Sequence, residues 1–570
     1  MVEVVERRPP QHALQNSGLH PVLQRIYAAR GVKDTVELEL TLRHLLPWFE
    51  LAGIEAAVDW LLPVVTEQRS LLIVGDFDVD GATSTAVAIR ALRMMGAQRL
   101  DYLVPNRFDF GYGLTPELVA VAVERRPDLI LTVDNGIAAV AGVAAANTAG
   151  IPVVVTDHHL PGAELPAAAA IVNPNQPGCR FASKAACGCT VVFYVMLALR
   201  ARLQAMGFFR GEAPNLAALL DLVALATVAD VVPLDRNNRI LVEQGLRRIR
   251  AGRAVAGIPA LLQVAGRNAA RAVSTDFGFV VGPRLNAAGR LDDMSLGIEC
   301  LLTDDPLLAL QLATQLDEFN RDRRGIEAAM AADAERFLHD WQVQQNLPTG
   351  LCLFHPEWHQ GVIGILASRI KERVHRPVIA FATGDHDQLK GSARSIAGLH
   401  MRDALDLVDK RYPGLMRKFG GHAMAAGLTL NPGCFELFRV AFDEVCRELL
   451  SADQLQQRIE VDGALGADDM VLELAEQLRW AGPWGQGFPE PVFVGDFRIV
   501  QQRLVGERHL KMVVEPLGSG QIFDAIWFNI DPKVWPRPEL QQTRIVFQLE
   551  INEFRGRQSV QLMVKQLPDC

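Results

Sequence analysis

Three aspartates at alternate positions follow an aliphatic run in LLIVGDFDVDGATSTA, residues 71–86. In an extended chain, residues i and i+2 point to the same side and lie about 6.5–7 Å apart, so Asp76, Asp78 and Asp80 can face one space. Three carboxylates this close repel one another, and a bound cation removes that repulsion. The spacing therefore predicts a cation site directly after the run.

The D-x-D-x-D-G pattern also fits the start of an EF-hand calcium loop, with Gly81 at the sixth position. The twelfth position is then Val87, where such a loop needs a bidentate glutamate. The segment before the aspartates has the pattern of a strand, whereas an EF-hand has a helix there. Both departures argue against an EF-hand. We expect Gly81 instead to let the chain turn sharply into a following helix.

Further acids and two adjacent histidines stand in a similar context, at the ends of apolar runs. Each acid alone has an ordinary explanation as a turn or helix-cap aspartate, because Asp favours strand-to-helix junctions. Four such junctions in one predicted sheet, one of them with histidines, favour a shared metal site. These residues are Asp134 in TVDNG, Asp157, His158 and His159 in TDHH, and Asp221 and Asp230, which bracket the apolar run in DLVALATVADVVPL.

This combination of ligands has a definite chemical preference. Carboxylates with one or two imidazoles suit Mn²⁺ or Mg²⁺ better than a thiolate-rich zinc site does. The ligands are numerous enough for two ions, and a pair about 3.5–4 Å apart is the arrangement that hydrolyses phosphodiesters. One ion helps to ionise water, and together they neutralise charge on the phosphate and the leaving oxygen. Because adjacent histidines diverge, one can bind metal while its neighbour contacts phosphate.

The elements that must position these residues alternate between short β-branched runs and Ala- and Leu-rich stretches from about residue 50 to 260. Near-continuous apolar strands between helices predict a parallel sheet covered on both faces, and such sheets bind ligands at the carboxyl ends of their strands. The charge-free window 137–156 fits a helix followed by a buried strand better than a membrane span. The predicted strands are LLIVG (71–75), LDYLVP (100–105), LILTV (129–133), IPVVVT (151–156) and AIVNP (170–174).

The rest of the chain divides into three parts. Helical periodicity predicts long connecting helices over 300–345, and a second α/β pattern follows, with strands near 351–355 and 377–381. After about residue 454 short strands predict a β-barrel of OB-like size. The predicted organisation is an N-terminal segment (1–50), a catalytic domain (51–299), connecting helices (300–345), a smaller α/β domain (346–453) and a nucleic-acid-binding barrel (454–570).

Composition limits the class of protein. A net charge of −9 argues against a surface coated in basic residues, although it leaves room for a local basic track. The N-terminus MVEVVERRPP lacks the apolar stretch of a signal peptide. The cysteines are scattered, and Cys179, Cys187 and Cys189 lack the C-x-x-C spacing of zinc sites, so we expect buried free thiols. These features favour a cytoplasmic location.

Several motifs resemble those of the DHH phosphoesterase superfamily and, within it, those of the bacterial exonucleases specific for single-stranded DNA. The resemblance covers roughly residues 50–570, and we assign no chemistry to the first 50 residues. The four core motifs are DFDVDG, VDNG, TDHH and ATVADVVPL. The other matching segments are VPNRFDFGYGL (104–114), GPRLNAAGRL (282–291), WHQGVIGILASRI (358–370), GSARSI (391–396), FGGHAMAAG (419–427) and GPWGQGFPEPVF (482–493).

The resemblance implies a 5′→3′ exonuclease that acts on single-stranded DNA with Mn²⁺ or Mg²⁺. Such an enzyme would release 5′-mononucleotides by a two-metal mechanism, in DNA recombination and repair. The implied fold is a parallel-sheet DHH domain and a smaller α/β DHH-associated domain joined by long helices, plus a C-terminal OB-like β-barrel. We expect a monomer that contacts no membrane, with a single-strand-binding protein and a helicase as candidate partners.

The resemblance also assigns roles to residues. His159 would contact the scissile phosphate or assist proton transfer, and Asp134 and Asp157 complete the catalytic set. Whether Asp76 or Asp157 binds metal directly stays open, and we expect Asp78 and Asp80 to bind before Asp76. The metal ligands carried over are Asp76, Asp78, Asp80, Asp134, His158 and Asp230.

A second group of residues is predicted to bind the substrate. FGGHAMAAG fits a glycine turn that enters a small-residue helix, where backbone N–H groups at Gly420 and Gly421 can reach a phosphate; a helix packed tightly against a strand is the alternative. Arg290 could equally pair with Asp292 or Asp293. The other predicted residues are His422 and Arg394, which offers forked donors, Ser395 and His359, which line the same cleft, and Asn286 and Arg107.

Two other function classes compete with this hypothesis. A phosphodiesterase for short oligonucleotides or cyclic dinucleotides could use the same core, but a long chain with an OB-like tail argues against it. A non-enzymatic scaffold with a decayed core is disfavoured because every motif acid is retained. In the tail, most aromatic residues are expected in the barrel core, while Arg503, Arg508 and Lys511 could follow phosphates.

Overall fold

The computed structural model describes residues 2–8, 14, 17–105, 113–343, 347–384 and 388–568. The chain begins with strand β1 (Glu3–Glu6) and helices α1 (Pro21–Ala29) and α2 (Ile54–Thr66). A five-stranded parallel sheet follows, formed by β2 (Leu71–Val74), β3 (Leu100–Leu103), β4 (Leu129–Val133), β5 (Val153–Thr156) and β6 (Ala170–Val172). Its strand order is β3-β2-β4-β5-β6.

Helices cover both faces of this sheet because its strands are apolar on both sides. In β2, Leu71 and Ile73 join the larger core, whereas Leu72 and Val74 face the opposite cluster. Packing between the strands and α3 (Val79–Met95) builds the first face, and α4 (Pro116–Glu124) and α5 (Val140–Thr148) build the second. The parallel doubly covered sheet and its five strands are as the sequence predicts.

The remaining helices of this first domain pack against α3 or against one another. They are α6 (Gly188–Ala205), α7 (Leu220–Ala229), α8 (Arg236–Arg250), α9 (Gly257–Val264), the single turn α10 (Ser274–Asp276), the π-helical turn Phe277–Val281, α11 (Gly282–Leu291) and α12 (Ser295–Leu302). Helix α6 alone among the described helices is long and apolar enough to cross a membrane by length and composition, and 67% of it is buried inside the protein.

The apolar run that ends at Asp230 corrects one prediction. We expected a strand there, and the structure has helix α7 instead. All residues from Leu220 to Thr227 are buried, so an amphipathic period cannot appear in the sequence. A fully buried helix and a fully buried strand then have the same apolar pattern.

A single helix of 38 residues, α13 (Pro306–Val343), connects the first domain to the second. The second sheet has the order β10-β11-β9-β8-β7. Its strands are β7 (Leu351–Phe354), β8 (Val378–Thr383), β9 (Leu389–Arg394), β10 (Met416–Gly421) and β11 (Ala425–Leu430), and its helices are α14 (Ile363–Val374), α15 (Met401–Arg411) and α16 (Phe435–Leu449).

The FGGHAMAAG segment is a β-hairpin, which corrects the predicted turn into a helix. Strand β11 pairs with both β9 and β10, so the backbone hydrogen bonds of this Ala- and Gly-rich stretch are made on two sides. Gly421 has φ +144°, and a Cβ there would lie 2.5 Å from the Ala425 carbonyl oxygen. The glycine therefore serves the hairpin and not a helix terminus.

The chain ends in a closed barrel with the strand order β13-β14-β15-β17-β16. Phe497, Phe547 and Trp535 are buried in it, while Phe528 and Phe554 are exposed, so the aromatic residues are mainly core as expected. The elements are β12 (Arg458–Val461), α17 (Leu472–Trp480), β13 (Phe493–Val505), β14 (His509–Pro516), β15 (Phe523–Phe528), β16 (Gln542–Phe554) and β17 (Arg557–Gln566).

The N-terminal segment packs against the entry to the barrel. Strand β1 pairs in parallel with β12. Tyr27 stacks on Trp484 at 6.1 Å between ring centroids. Arg30 donates to both oxygens of Asp462, at 2.7 and 3.0 Å. The two ends of the described chain therefore form one structural unit.

Candidate metal centre

The loop between β2 and α3 carries the three aspartates to the carboxyl end of the sheet. Asp78 caps α3, because its Oδ1 accepts a hydrogen bond from the Gly81 N–H at 3.1 Å. Gly81 lies inside α3 and does not make the sharp turn that we expected. It is required for close approach, since a Cβ there would lie 2.4 Å from the Asp76 carbonyl oxygen.

His158 is surrounded by carboxylates from three different segments. Its Nε2 lies 3.3 Å from Asp134 Oδ1, 3.5 Å from Asp230 Oδ2 and 3.8 Å from Asp80 Oδ2. Asp134 follows β4 in the left-handed region at φ +61°, a conformation that Asp tolerates better than most residues. Asp230 is the C-cap of α7.

These side chains form three overlapping groups whose ligand atoms lie within 4.8 Å of one another. The groups are Asp80, His158 and Asp230; Asp134, His158 and His159; and Asp76, Asp78 and Asp134. Asp134 and His158 each belong to two groups. The arrangement therefore offers ligands for more than one neighbouring cation.

The electrostatics of the cluster are those of a cation site. Burial, and then the charges of Asp80 and Asp78, raise the pKa of Asp134 and of Asp230 well above the usual value. Burial lowers the pKa of His158, which favours the neutral imidazole that binds metals. Within the described ranges, His158 Nε2 and Asp230 Oδ2 are buried and form no hydrogen bond. Buried oxygen and imidazole donors of this kind fit Mn²⁺ or Mg²⁺.

Asp80 is held by the N-terminus of α6. Its Oδ2 accepts from the Gly188 N–H at 2.6 Å and its Oδ1 from the Cys189 N–H at 2.8 Å. A helix N-terminus stabilises an anion. Gly188 is also forced to be glycine, because a Cβ there would lie 2.6 Å from the Asp134 Cβ.

Asp157 supports His159. Its Oδ1 lies 2.7 Å from His159 Nδ1 and accepts from the His158 N–H, while its Oδ2 accepts from the Ile137 N–H at 2.9 Å. Burial opposes the charge of Asp157, but the hydrogen bond and charge of His159, together with the Ile137 N–H and the charge of His158, lower the Asp157 pKa. Burial likewise opposes the charged form of His159, and the bond to Asp157 raises the His159 pKa.

The second domain contributes to the same cleft. The His422 ring, in the β10–β11 turn, stacks on His159 at 6.1 Å between centroids and 22° between planes. Helix α11 crosses between the domains, since Arg290 Nη1 donates to the Gly361 carbonyl at 3.1 Å. The neighbouring His359 accepts from the Gly361 N–H. The metal cluster therefore lies at the junction of two domains.

Comparison with known proteins identifies the family. Residues 70–227 match the DHH family N-terminal domain, residues 347–448 the DHHA1 domain and residues 461–566 the RecJ OB domain. A protein of Dickeya dadantii named single-stranded-DNA-specific exonuclease RecJ is 56% identical over 571 residues, which are 100% of this chain and 99% of that protein. The chain belongs to the RecJ family.

Other RecJ proteins give the same picture. The RecJ of Escherichia coli is 55% identical over 550 residues, covering 96% of this chain and 95% of that protein. The crystal structure of Thermus thermophilus RecJ in complex with Mn²⁺ has a TM-score of 0.81 and 28% identity, and covers 99% of this chain and 79% of that one. Its complex with Mg²⁺ has a TM-score of 0.76 and 27% identity, with coverage of 99% and 78%.

In this RecJ-family chain the structure brings all six sequence-predicted metal ligands together, with His159 and Asp157 beside them. Of the substrate-binding predictions, His422 lies in the cleft. Arg394 Nη1 donates to Ser392 Oγ at 3.1 Å, and its Nη2 lies 2.9 Å from the position of a Cβ on Gly364 in α14. Arg107 lies outside the described residues.

Two predictions about side chains are corrected, for Ser395 and Asp221, and a third, for Asn286, is given a structural role. Ser395 is fully buried, and its hydroxyl donates to the Leu399 carbonyl at 2.8 Å, so it does not line the cleft. Asn286 Oδ1 accepts from the Val79 N–H at 3.2 Å, which fixes the aspartate loop from behind, and its contact with the substrate stays a prediction. Asp221 accepts from the Val255 N–H at 2.6 Å and belongs to the packing of α7, not to the centre.

The two α6 amides that hold Asp80 were missed by sequence reasoning. Gly188 follows Asp80 by 108 residues, and no local pattern connects them. The one signal was a glycine between two cysteines in ACGCT, which we read only for its thiols.

Proposed function

We propose that the chain is a single-stranded-DNA-specific exonuclease that hydrolyses phosphodiester bonds with Mn²⁺ or Mg²⁺ in the 5′→3′ direction and releases 5′-mononucleotides. The observation that carries this proposal is the convergence of five carboxylates and His158 at the carboxyl end of a parallel sheet, facing His422 of the second domain. The RecJ membership and the barrel support a polymeric substrate. In this proposal the chain acts as a cytoplasmic monomer in DNA recombination and repair, with a single-strand-binding protein and a helicase as candidate partners.

In this mechanism Asp76, Asp78, Asp80, Asp134, His158 and Asp230 hold the cations. Divalent ions at such a centre activate water and neutralise charge on the phosphate. Asp157 orients His159 through Nδ1, so Nε2 is the ring nitrogen that can reach a phosphate oxygen or carry a proton. The α6 amides hold Asp80 in place. His422 closes the cleft from the opposite domain.

The choice of a long strand over a short oligonucleotide rests on the RecJ OB domain at residues 461–566. A substrate of two nucleotides needs no such module. Polarity and product rest on the family resemblance, and they are the parts of the proposal most directly open to measurement.

A time course on 5′- and 3′-labelled single-stranded DNA, with and without Mn²⁺, tests the proposal. We expect the 5′ label to appear at once as mononucleotide, while the 3′-labelled strand shortens progressively. Both signals should disappear in EDTA and in Asp134→Asn, which preserves the left-handed backbone. Release of the 3′ label first would overturn the polarity, and cleavage of dinucleotides alone would favour the short-substrate class.

A further inference from the structure

A cavity of about 530 Å³ lies between the first domain and the barrel. Its walls come from α8, the π-helical turn Phe277–Val281, α17, β16 and β17, and none of the residues that we assign to the metal centre lines it. A cavity of this size is typical of small-molecule sites. Neither the proposed chemistry nor the folding of the barrel accounts for it.

The mouth of the cavity presents an exposed aromatic ring. Phe279 lines the cavity and 75% of its surface is exposed, although Phe is usually buried. It projects from a π-helical turn, an irregularity that is frequent at functional sites. The ring offers a flat apolar face beside the cavity, and a nucleobase is a ligand that stacks on such a face.

Four cationic side chains line the cavity, and two of them are paired with carboxylates that also line it, Arg250 with Glu243 at 3.6 Å and Arg267 with Asp276 at 3.8 Å. The guanidinium groups of Arg250 and Arg479 lie 4.7 and 5.5 Å from the centroid of the Trp480 ring. Arg267 and Lys565 also line the cavity. Guanidinium and ammonium groups held beside an aromatic platform suit the phosphate of a nucleotide.

Two further carboxylates, Glu490 and Glu550, line the cavity beside these cations. Glu490 accepts a hydrogen bond from Gln548 Nε2 at 2.9 Å. Burial, and then the charge of Glu490, raise the pKa of Glu550. A carboxylate can accept a hydrogen bond from the amino group of cytosine, and the side chains of an acidic peptide have no such donor. The mixed lining therefore favours a nucleotide over an acidic peptide.

The cavity is joined to the metal centre through one continuous helix. The turn Phe277–Val281 continues into α11, whose Asn286 holds the aspartate loop and whose Arg290 contacts the second domain. At about 1.5 Å per residue, Phe279 and Arg290 are separated by roughly 16 Å along this helix. A short stretch of DNA strand can span that distance.

We propose that this cavity is a nucleotide-binding site in which a base stacks on Phe279, Glu550 accepts its amino group, and Arg267 and Lys565 bind its phosphate. The inference rests on the proposed function for its substrate class. The nucleotide is either one unit of a bound strand or a free mononucleotide, since both offer the same base and phosphate.

Binding is measured on the full chain in EDTA, where cleavage cannot occur, with (dC)12, (dT)12 and dCMP as probes. The test variants are Phe279→Ala and Glu550→Leu. Phe49→Ala is the matched control for the ring, because Phe49 is 67% exposed and does not line the cavity. Glu507→Leu, in the exposed β13–β14 turn, is the control for the acid. Cleavage of single-stranded DNA with Mn²⁺ is measured in parallel.

We expect the wild type to bind (dC)12 severalfold more tightly than (dT)12. Phe279→Ala should weaken binding of both strands by about tenfold, Glu550→Leu should remove the preference for cytosine, and the controls should behave as the wild type. Phe279-dependent binding of dCMP would identify a free-nucleotide site, and binding of the 12-mers alone a subsite for the strand; both outcomes support the inference.

Wild-type binding and base preference in both test variants would overturn the inference, even if the strand is cleaved normally. Binding of hexa-aspartate that depends on Phe279, without binding of either nucleotide probe, would replace it with a peptide site. Absence of cleavage by the wild type would instead overturn the proposed function, and the dCMP measurement would still decide the cavity.

Discussion

At the residue scale, the centre concentrates like charges that the protein alone does not neutralise. Asp134 and Asp230 are held near Asp80 and Asp78, and their raised pKa values follow from burial and from that proximity. The fold tolerates this repulsion because a cation compensates for it. Binding of the cation must then displace the protons that these carboxylates would otherwise carry.

Replacement of Asp230 by Asn separates folding from metal binding. The metal-free unfolding temperature should not fall, because one buried like charge is removed. Mn²⁺ at a hundred times its Kd should stabilise the wild type against unfolding by about 2.7 kcal/mol and so raise its unfolding temperature. In the variant the rise in unfolding temperature should be clearly smaller. Nuclease activity should fall by about 100-fold or more, since replacing even a residue that only supports a metal ligand lowers affinity or activity by about 10–100-fold.

Calorimetric scans with and without Mn²⁺ measure this effect. Asp221→Asn is the matched control, because Asp221 is a fully buried aspartate at the other end of α7 that bonds to Val255 away from the centre, and its Mn²⁺ response should be retained. An Asp230→Asn variant with the full Mn²⁺ response would remove Asp230 from the ligand set.

Replacement of Gly188 by Ala tests the close approach at the N-terminus of α6. Alanine normally stabilises a helix relative to glycine by about 1 kcal/mol, but here its Cβ would collide with Asp134. We expect a lower unfolding temperature and lost nuclease activity. Gly211→Ala, where the Cβ meets no atom within 4 Å, should change neither. Full activity in Gly188→Ala would show that the centre can relax.

At the element scale, β1 and α1 have a defined role although they carry no catalytic residue. They contact β12 and the loop that leads to the barrel, and the central contact is the ion pair of Arg30 with Asp462. Each of these side chains is only 1% exposed. Arg7 also lies 3.3 Å from Asp462, so one carboxylate joins two parts of the N-terminal segment to the barrel.

The Arg30→Met variant should destabilise the unit formed by the N-terminal segment and the barrel by about 1.5–3 kcal/mol, because the buried charge-assisted hydrogen bonds of Arg30 are lost while Arg7 still pairs with Asp462. Chemical denaturation followed by tryptophan fluorescence near Trp484 measures it. Arg202→Met is the control, since Arg202 pairs with Glu55 and Asp59 at the surface and should cost less than about 1 kcal/mol. Equal effects of the two variants would contradict a structural role for the buried pair.

At the scale of the whole molecule, the chain returns to its own first domain. Helix α13 leads to the second domain, and the segment that enters the barrel then packs back on the first domain. There the Leu234 N–H donates to the Gln486 carbonyl at 2.7 Å, and Ser274 Oγ donates to the Trp484 carbonyl at 2.6 Å.

The net charge of the chain is −9, so a DNA strand must be attracted by local cations within this arrangement and not by the surface as a whole.

Salt should therefore weaken strand binding despite the negative net charge. Each phosphate contacted contributes about −0.7 to the slope of log K against log salt for a single strand. Fluorescence anisotropy in EDTA between about 50 and 200 mM salt measures this slope, and a strand with an uncharged methylphosphonate backbone should give none. A zero slope with natural DNA would contradict phosphate recognition.

The sequence by itself determined the parallel sheet and the residues that we propose as metal ligands. Apolar runs separated by helical stretches specify β2, β4 and β5 locally, and the acids that follow them must meet at one edge of the sheet. For that reason Asp76, Asp134 and His158 could be assigned from their positions along the chain.

Only the tertiary structure decided which groups these residues contact. It also decided whether the segments with no diagnostic hydrophobic period form helices or strands. The Gly188 amide on Asp80, the His422 ring on His159 and the Arg30 pair with Asp462 join segments more than 100 residues apart. Helix α7 and the β10–β11 hairpin were misassigned, because a fully buried helix and a small-residue strand have no diagnostic pattern. Packing decides such features, and packing depends on contacts that no local stretch of sequence contains.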